Sequence, residues 1–264
     1  MIVRIAIASM LVYVGTWPGA LAQLPAVPVP AENPITEAKR VLGKVLFWDE
    51  QLSSNNTVAC GTCHRPAAGG ADPRVGRHTG TDKGTIDDIW GSPGVVLMNE
   101  AGEPLEHPIF GRDPQVTTRI TPSNFGALWA NEVFWDGRAR SEFIDPLTGD
   151  VAIASGGALE NQALSSLSNP AEMTRPNRAW ADLTRKLESV QPLALARNLP
   201  ADVTSAIESN PDYPSLFQVA FHDSEITPTK IAFAISTYQR TLVADQTPWD
   251  LYMAGDETAL TEQA

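Results

Sequence analysis

The residues best suited to chemistry lie in the segment VACGTCHRPAAGG, residues 58–70, which holds both cysteines of the chain. Cys60 and Cys63 are separated by two residues, and His64 directly follows the second cysteine. Two thiols at this spacing can each add across one vinyl group of a haem, and the adjacent histidine can then bind the iron from the same side. The spacing predicts one covalently attached haem c, with Cys60 and Cys63 as anchors and His64 as proximal iron ligand.

Three other uses of the two cysteines compete with haem attachment. A disulfide would suit an exported protein, but it would close a very short loop and contribute little stability. A zinc site needs about four ligands, and the other histidines are not paired with cysteines. A thioredoxin-like dithiol is expected within a βαβ unit, which the sequence lacks. The adjacent His64 distinguishes haem attachment from a redox dithiol.

Amphipathic helices are predicted to position this motif. PITEAKRVLGKVLFWD, residues 34–49, places apolar residues on one helical face and ends just before the cysteine segment. Further helices are predicted around 123–131, at 159–167 and over NRAWADLTRKLESV. The best-formed helix is ITPTKIAFAISTYQRTLV, where Thr227 caps the N-terminus and Pro228 fits the first turn. Strand signals are scarce, so the predicted fold class is all-α with long loops.

The N-terminus has the pattern of an export signal. Arg4 precedes the apolar stretch 5–14, and residues 20–22, Ala-Leu-Ala, form an A-x-A cleavage site. Residues 1–22 are therefore predicted to be a signal peptide and residues 23–34 an extended leader, with a retained anchor as the alternative. The apolar run is too short to span a bilayer. We expect a periplasmic protein without a membrane span after cleavage.

Charge and loop composition bear on partners. The chain has 19 Lys and Arg against 31 Asp and Glu, a formal net charge of −12. This balance argues against nucleic acid and favours small basic protein partners. Residues 71–122 are rich in Gly, Pro and Asp and show no lasting periodicity. A loop this long in a compact domain is normally functional or covers something.

Four longer blocks carry a family resemblance: LGKVLFWDEQLSSNNTVACGTCHRPAAGGAD, RITPSNFGALWANEVFWDGR, ALENQALSSLSNPAEM and ITPTKIAFAISTYQRTLVADQTPWDLYMAGDETALT. In order and spacing they resemble the bacterial di-haem cytochrome c peroxidases, a family that also contains the MauG-type enzymes. FWDGR together with NPAEM is the most specific pair. The resemblance implies an exported enzyme with two cytochrome c-like domains. Such an enzyme reduces hydrogen peroxide to water with electrons from a small cytochrome c or a cupredoxin.

The resemblance implies that this chain carries the first, peroxidatic haem. Residues 35–250 would form the peroxidatic haem c domain, and residues 251–264 would begin a second cytochrome c domain with its own haem. Thr261 resembles the N-cap of a helix that does not continue. The chain is therefore expected to be the N-terminal part of a longer enzyme. Alone it should bind haem yet turn over slowly, and a homodimer is left open.

Residues far from the cysteine motif gain roles from the resemblance. His78, in VGRHTG, matches the removable distal iron ligand, and a solvated loop histidine is the alternative. Glu172, in NPAEM, matches the catalytic glutamate that moves a proton during peroxide cleavage, although a solvated glutamate is again the alternative. Gln162 matches a pocket glutamine that positions the oxygen. Trp135, in VFWDGR, matches an electron-transfer tryptophan between the haems, while most of the seven tryptophans are expected in the core.

Two departures from the family concern metal binding. Ile120 stands where the family usually has an asparagine that binds calcium, so calcium is doubtful. The stretch 80–113 is longer than in most relatives. Its carboxylates could hold a cation, although a solvated acidic loop is the alternative. These carboxylates are Asp82, Asp87 and Asp88.

The remaining polar residues and the rival functions complete the expectations. Asp136 and Arg138 are expected to pair, near the haem propionates, whereas His107 and His222 match no family role and are expected on the surface.

The first rival function is a single-haem electron carrier without catalysis. The others are a MauG-type oxidase acting on a partner protein and a thiol redox protein.

Overall fold

The structure, a computed structural model, describes residues 24–80 and 84–260. The predicted signal peptide, Asp82 and the helix start at Thr261 lie outside the described residues. Residues 27–243 form one compact unit, and residues 244–260 belong to a second, smaller unit. Within the described ranges, no helix combines the length and apolar character that crossing a bilayer requires.

Helices dominate the described chain. They are α1 (Glu37–Trp48), α2 (Cys60–Cys63), α3 (Ala158–Ser168), α4 (Trp180–Ser189), α5 (Ala201–Ser209), α6 (Tyr213–Phe221), α7 (Pro228–Gln239) and α8 (Pro248–Met253). The strands form two short antiparallel pairs: β1 (Gly76–His78) with β2 (Ile89–Gly91), and β3 (Phe143–Ile144) with β4 (Val151–Ile153). The predicted all-α class is confirmed, and residues 71–122 are mostly irregular, as predicted, apart from β1 and β2.

α1 and α7 begin where the sequence predicts. The Thr36 side chain accepts a hydrogen bond from a backbone N–H in the first turn of α1. Thr227 does the same for α7, and Pro228 occupies its first turn. A threonine cap satisfies an N–H that has no partner within the helix, and proline loses nothing there because its missing N–H is not needed. Local sequence therefore fixes both helix starts.

Close backbone contact joins α1 to α7 at the centre of the larger unit. A Cβ at Gly43 of α1 would lie 1.9 Å from the carbonyl oxygen of Ala234 in α7. Only glycine permits this approach, since any other residue would drive the helices apart. Leu46 and Ile231, both fully buried, fill the surrounding core. This packing fixes the end of α1, from which the chain continues to the cysteine motif.

A buried polar network ties the segment before α1 to α3 and α7. Glu160 of α3 is 0% exposed, and Arg240, 2% exposed, donates to both its carboxylate oxygens at 2.6 and 3.0 Å. Asn33 donates to Glu160 Oε1 at 3.0 Å, and Ser236 donates to the same oxygen at 2.7 Å. The Lys39 ammonium donates to Asn33 Oδ1 at 2.9 Å. The end of the predicted leader is therefore part of the core.

The prediction of a helix around residues 123–131 is wrong. The structure has there only a single 3-10 turn, Ala127–Trp129. Gly126, at the start of that turn, has a φ of 84°, a left-handed conformation that an α-helix does not accommodate. The preceding Pro122 and the Ser123 side chain, which donates to the Gly69 carbonyl at 2.6 Å, hold the segment as a loop.

The expectation that most tryptophans fill the core is also wrong. None of the six described tryptophans is fully buried: Trp48, Trp90, Trp129, Trp135, Trp180 and Trp249. The buried volume is filled instead by leucine, isoleucine, valine and phenylalanine side chains and by Tyr213. An indole carries an N–H that needs a partner, which favours the edge of a core over its centre. Trp48, whose Nε1 donates to the Tyr238 hydroxyl at 3.2 Å, illustrates this.

Candidate functional site

The cysteine motif forms a single helical turn packed against the end of α1. A Cβ at Gly61 would lie 2.3 Å from the ring of Trp48, so the turn can only lie this close because residue 61 has no side chain. The Thr62 hydroxyl accepts from the Ala59 N–H at 2.9 Å and closes the start of the turn. These contacts place the cysteines and His64 in a fixed arrangement.

Both cysteines are free thiols on the wall of one cavity. Burial raises the pKa of Cys60 to about 12 and that of Cys63 to about 11. Arg74 approaches the Cys63 sulfur at 3.2 Å. Because the thiolate is the redox nucleophile, thiols whose pKa is raised by burial do not suit a redox dithiol. Moreover, no three His, Cys, Asp or Glu side chains come together as a ligand set in the part of the chain the structure describes.

His64 has one ring nitrogen tied to the backbone. Its Nδ1 lies 2.9 Å from the carbonyl oxygen of Gly70. A carbonyl can only accept, so Nδ1 carries the proton and Nε2 keeps its lone pair. Burial lowers the pKa of His64, which favours the neutral ring. A neutral imidazole with one nitrogen held by a backbone carbonyl is the usual form of a histidine that binds a metal.

The cavity beside these residues has a volume of about 740 Å³. Its wall includes both thiols and His64, together with Phe47 of α1. Cavities of 300–1,000 Å³ are typical for cofactors. Asn124 lies on the same wall, and its buried Oδ1 has no hydrogen-bond partner among the described residues. Two free thiols, an imidazole lone pair and a space of this size fit a covalently attached haem.

The cavity also brings together the predicted Glu172 and Gln162. Asn169 donates to Glu172 Oε1 at 2.7 Å and so fixes the carboxylate. Burial raises the pKa of Glu172, a shift opposed by hydrogen bonds from Ser166 and Asn169 and by the charge of Arg138. Gln162, on α3, donates to the Ser166 hydroxyl at 3.2 Å. A fixed, half-buried carboxylate next to an amide can move a proton within the cavity.

Two histidines of the long loop, His78 and His107, line the cavity, and both contact Phe110. The ring of Phe110 lies 5.3 Å from that of His78 and 4.9 Å from that of His107. His78 Nδ1 accepts from the Gly80 N–H at 3.3 Å, which leaves the proton on Nε2. His107 Nδ1 likewise accepts from backbone N–H groups, at 3.0 and 3.3 Å. His107, expected on the surface without a role, is half-buried and lies on the cavity wall, whereas His222 is exposed as expected.

Trp135 lies at the edge of the cavity and is 81% exposed. The Arg119 guanidinium lies 4.6 Å from its ring centre. Asp136 pairs with Arg119 at 2.7 Å and with Arg138 at 2.9 Å, which agrees with the expected Asp136–Arg138 pair. Arg119, followed by Arg138, lowers the pKa of Asp136 to about 2. The cavity edge is thus aromatic and cationic.

The two candidate cation positions are poorly suited to calcium. Ile120 lies on the cavity wall and offers no oxygen ligand from its side chain. In the acidic loop, Asp88 pairs with Arg77. An aspartate paired with arginine is a poor calcium ligand. Most described residues from 84 to 90 are exposed, as a solvated loop requires, but the Asp88 side chain is only 11% exposed.

Comparison with known proteins decides the family. The model of the family "Di-haem cytochrome c peroxidase" matches residues 37–258, most of the chain. The chain belongs to this family. Di-haem cytochrome c peroxidases use c-type haem, and the motif at Cys60, Cys63 and His64 has the spacing that such attachment requires.

Individual relatives within the family agree with this assignment. The methylamine utilization protein MauG of Methylophilus methylotrophus is 28% identical over 239 residues, which cover 90% of this chain and 50% of MauG. The cytochrome c551 peroxidase of Pseudomonas aeruginosa is 28% identical over 233 residues, covering 88% and 46%. A crystal structure of a MauG-like protein associated with microbial copper homeostasis shares the fold, with a TM-score of 0.51, 24% identity and coverages of 91% and 51%. The chain spans about half the length of the relatives it matches.

Proposed function

We propose that this chain provides the peroxidatic half of a periplasmic di-haem peroxidase, which reduces hydrogen peroxide to water. The observation that carries the proposal is that one cavity holds residues from distant parts of the chain. This cavity brings the haem-attachment motif of α2 together with Glu172 and Gln162, which lie about a hundred residues further along the chain. An electron carrier has no use for a proton-moving carboxylate beside its cofactor, so the arrangement supports peroxide chemistry over simple electron transfer.

A haem held here would supply a redox-active iron that accepts electrons and binds peroxide. Cys60 and Cys63 would hold its ring covalently, and the Nε2 lone pair of His64 would bind the iron. The Gly70 carbonyl keeps the proton on Nδ1 and so keeps Nε2 available. Covalent attachment suits an exported protein, because a loosely held cofactor would be lost outside the cell.

Glu172 and Gln162 would act on the peroxide. Cleavage of the O–O bond requires a proton to leave one oxygen and reach the other. The Glu172 carboxylate, which the Asn169 amide holds at Oε1, would take the proton and return it to the departing oxygen. The raised pKa of Glu172 brings it closer to neutrality, where a carboxylate exchanges protons most effectively. The Gln162 amide would orient the peroxide.

His78 would be the removable ligand in this proposal. Its Nδ1 accepts a hydrogen bond from Gly80, so in this conformation Nε2 carries a proton and cannot bind a metal. Release of that bond and transfer of the proton to Nδ1 would turn the ring into a ligand. The His78 loop, rather than the cysteine motif, would therefore change between the resting and active forms.

The proposal also includes a route and a donor for the electrons. Trp135 would carry electrons to the cavity, since its exposed indole, stacked on Arg119, is accessible from outside. The electrons would come from a small cytochrome c or a cupredoxin by way of a second haem domain. MauG and the peroxidase are equally similar to this chain, at 28% identity each, which supports the half they share rather than either complete activity.

Mass spectrometry and a peroxide assay on the same protein test the proposal. The chain should be expressed with its predicted signal peptide, residues 1–22, in a bacterium that attaches haem c in the periplasm. We expect one haem mass on the exported protein and peroxide consumption when a chemical reductant supplies electrons. A haem-loaded, reduced protein that leaves peroxide untouched would favour the electron-carrier function. A protein without added haem mass would refute the assignment altogether.

A further inference from the structure

A second cavity, of about 550 Å³, lies between α4 and the irregular segments around residues 54–56 and 98–102. Cations outnumber carboxylates on its wall, although the chain as a whole has a formal net charge of −12. The four cations are Arg175, Arg178, Arg185 and Lys186, and the two carboxylates are Asp182 and Glu100. The cavity is therefore a local concentration of positive charge on an acidic protein.

Two of these cations lack a counter-ion within the described chain. Asp182 pairs with both Arg175, at 2.8 Å, and Arg185, at 2.7 Å. Arg178 and Lys186, in contrast, form no ion pair with any carboxylate in residues 24–80 and 84–260. Both side chains are half-buried, so water solvates their charges only in part.

Neutral oxygens hold these two side chains in place. Arg178 Nη1 donates to the carbonyl oxygen of Leu52 at 2.7 Å. Lys186 Nζ donates to the carbonyl oxygen of Ser53 at 2.7 Å and to Asn56 Oδ1 at 2.5 Å. The other guanidinium nitrogens of Arg178 have no partner among the described residues. Both cations are thus fixed in position with donors to spare, an arrangement that lowers the entropic cost of binding an anion.

Burial and neighbouring positive charge disfavour the charged forms of both side chains, and Asp182 and Asp49 oppose this only in part. Burial, followed by the charge of Arg175, lowers the pKa of Arg178 to about 10. Burial, followed by the charge of Arg178, lowers the pKa of Lys186 to about 8. Both shifts show that the charged forms are disfavoured as the cavity stands. An anion between the two side chains would reverse this effect.

We propose that this cavity binds a small oxyanion, of the size and charge of inorganic phosphate or sulfate, with Arg178 and Lys186 as its charged donors. A guanidinium fork can bind two oxygens of such an anion side by side, and the ammonium group supplies a compact second charge. The site does not depend on the proposed peroxidase activity. The two cavities share one turn of the chain, residues 169–175. This turn contributes Glu172 to the wall of the main cavity and Arg175 to the wall of the second cavity.

Calorimetric titration of the haem-loaded chain with inorganic phosphate, in chloride buffer of constant ionic strength, tests the proposal. Arg178→Gln is compared with Arg197→Gln, which removes the same charge from an exposed arginine outside the cavity. We expect Arg178→Gln and Lys186→Gln each to weaken phosphate binding about 10-fold or more, as the loss of a charge-assisted hydrogen bond predicts. Arg197→Gln should bind as the unmodified chain does.

Thermal unfolding separates an anion site from a purely structural role. In phosphate-free buffer, Arg178→Gln should unfold no earlier than the unmodified chain, because it removes a cation that lacks a counter-ion. Added phosphate should stabilise the unmodified chain but not the variant. Phosphate binding no tighter than chloride, or unchanged by Arg178→Gln, would overturn the proposal. Early unfolding of Arg178→Gln with unchanged phosphate binding would show a structural role instead.

Sulfate provides a pH-dependent test, since it stays fully ionised over the whole pH range in which Lys186 loses its proton. Its affinity should be highest below pH 8 and should fall as Lys186 loses its proton above about pH 8. Lys186→Gln should remove this fall. An affinity that is independent of pH in the unmodified chain would exclude Lys186 as a donor. The charged groups that face Lys186 are Arg178, Asp49, Arg175, Arg185, Asp182 and Glu100.

Discussion

Glu172→Gln is the sharpest test of the proposed chemistry, because it changes the proton acceptor and little else. The glutamine oxygen can still accept the 2.7 Å hydrogen bond from the Asn169 amide, and the side chain keeps its size. What disappears is the carboxylate that takes and returns a proton. General acid–base catalysis contributes roughly 10²–10⁴-fold in rate, so the barrier should rise by about 3–5 kcal/mol.

The assay follows peroxide consumption by stopped flow, with haem-loaded and chemically reduced protein. Glu188→Gln, which neutralises an exposed carboxylate on α4, is the matched control and should react at the unmodified rate. Both variants should carry the same haem mass and unfold at similar temperatures. This makes a slower reaction attributable to the missing proton acceptor rather than to lost cofactor or fold.

The pH dependence adds a second signature with a defined sign. Glu172 works as a base only when ionised, and burial raises its pKa above the usual value of a glutamate. The rate of the unmodified chain should therefore be full at neutral pH and fall as the pH drops through that raised pKa. Glu172→Gln should remove this acidic limb. A variant as fast as Glu188→Gln, or one that keeps the limb, would refute the role of Glu172.

Three further substitutions test the structure around the site. Cys60→Ser should leave one thioether bond at most, through Cys63, whereas the double variant Cys60→Ser with Cys63→Ser should lose all haem mass in a denaturing mass spectrum; haem mass retained by the double variant would contradict attachment through these thiols. Glu160→Ala should destabilise the protein by about 3–5 kcal/mol in urea unfolding, because Arg240 is left charged and buried, whereas the double variant with Arg240→Met should recover much of that loss. Gly94→Ala would place a Cβ 1.9 Å from the carbonyl oxygen of Ala171, the residue before Glu172. It should therefore displace Glu172 and slow peroxide consumption while sparing haem attachment. An unchanged rate would show that the turn 169–175 can shift without consequence.

Features set by neighbouring residues were predictable from the sequence. The existence of α1 and α7 follows from a helical apolar face, and the start of α7 from its Thr227 cap, although α7 ends at Gln239 and not near Val243 as its apolar pattern predicts. The haem-attachment motif is also local. α5 and α6 were missed although α6 has a clear start signal, with Asp212 as N-cap and a proline in its first turn. Their short apolar patterns draw stability from packing against α1, which a single sequence does not display.

The shape of the cavity wall was not predictable, since it depends on contacts between distant segments. His107 was expected on the surface, yet the turn around Phe110 places it at the cavity. Trp135 was assigned through its family block, but its exposure and its stacking on Arg119 arise from the loop conformation alone. The cationic cavity near Arg178 had no signal at all, because an unpaired charge is recognisable only once its neighbours in space are known.

The buried amide of Asn33 has a practical consequence for anyone who shortens this chain. The family match begins at residue 37, so a boundary drawn there would keep every described helix and discard Asn33. Glu160 would then lose a donor and the Lys39 ammonium its acceptor, and both side chains are buried. A cut placed ahead of Pro30 retains them. The seven residues 30–36, which look like dispensable linker, thus decide whether a trimmed protein keeps its interior intact.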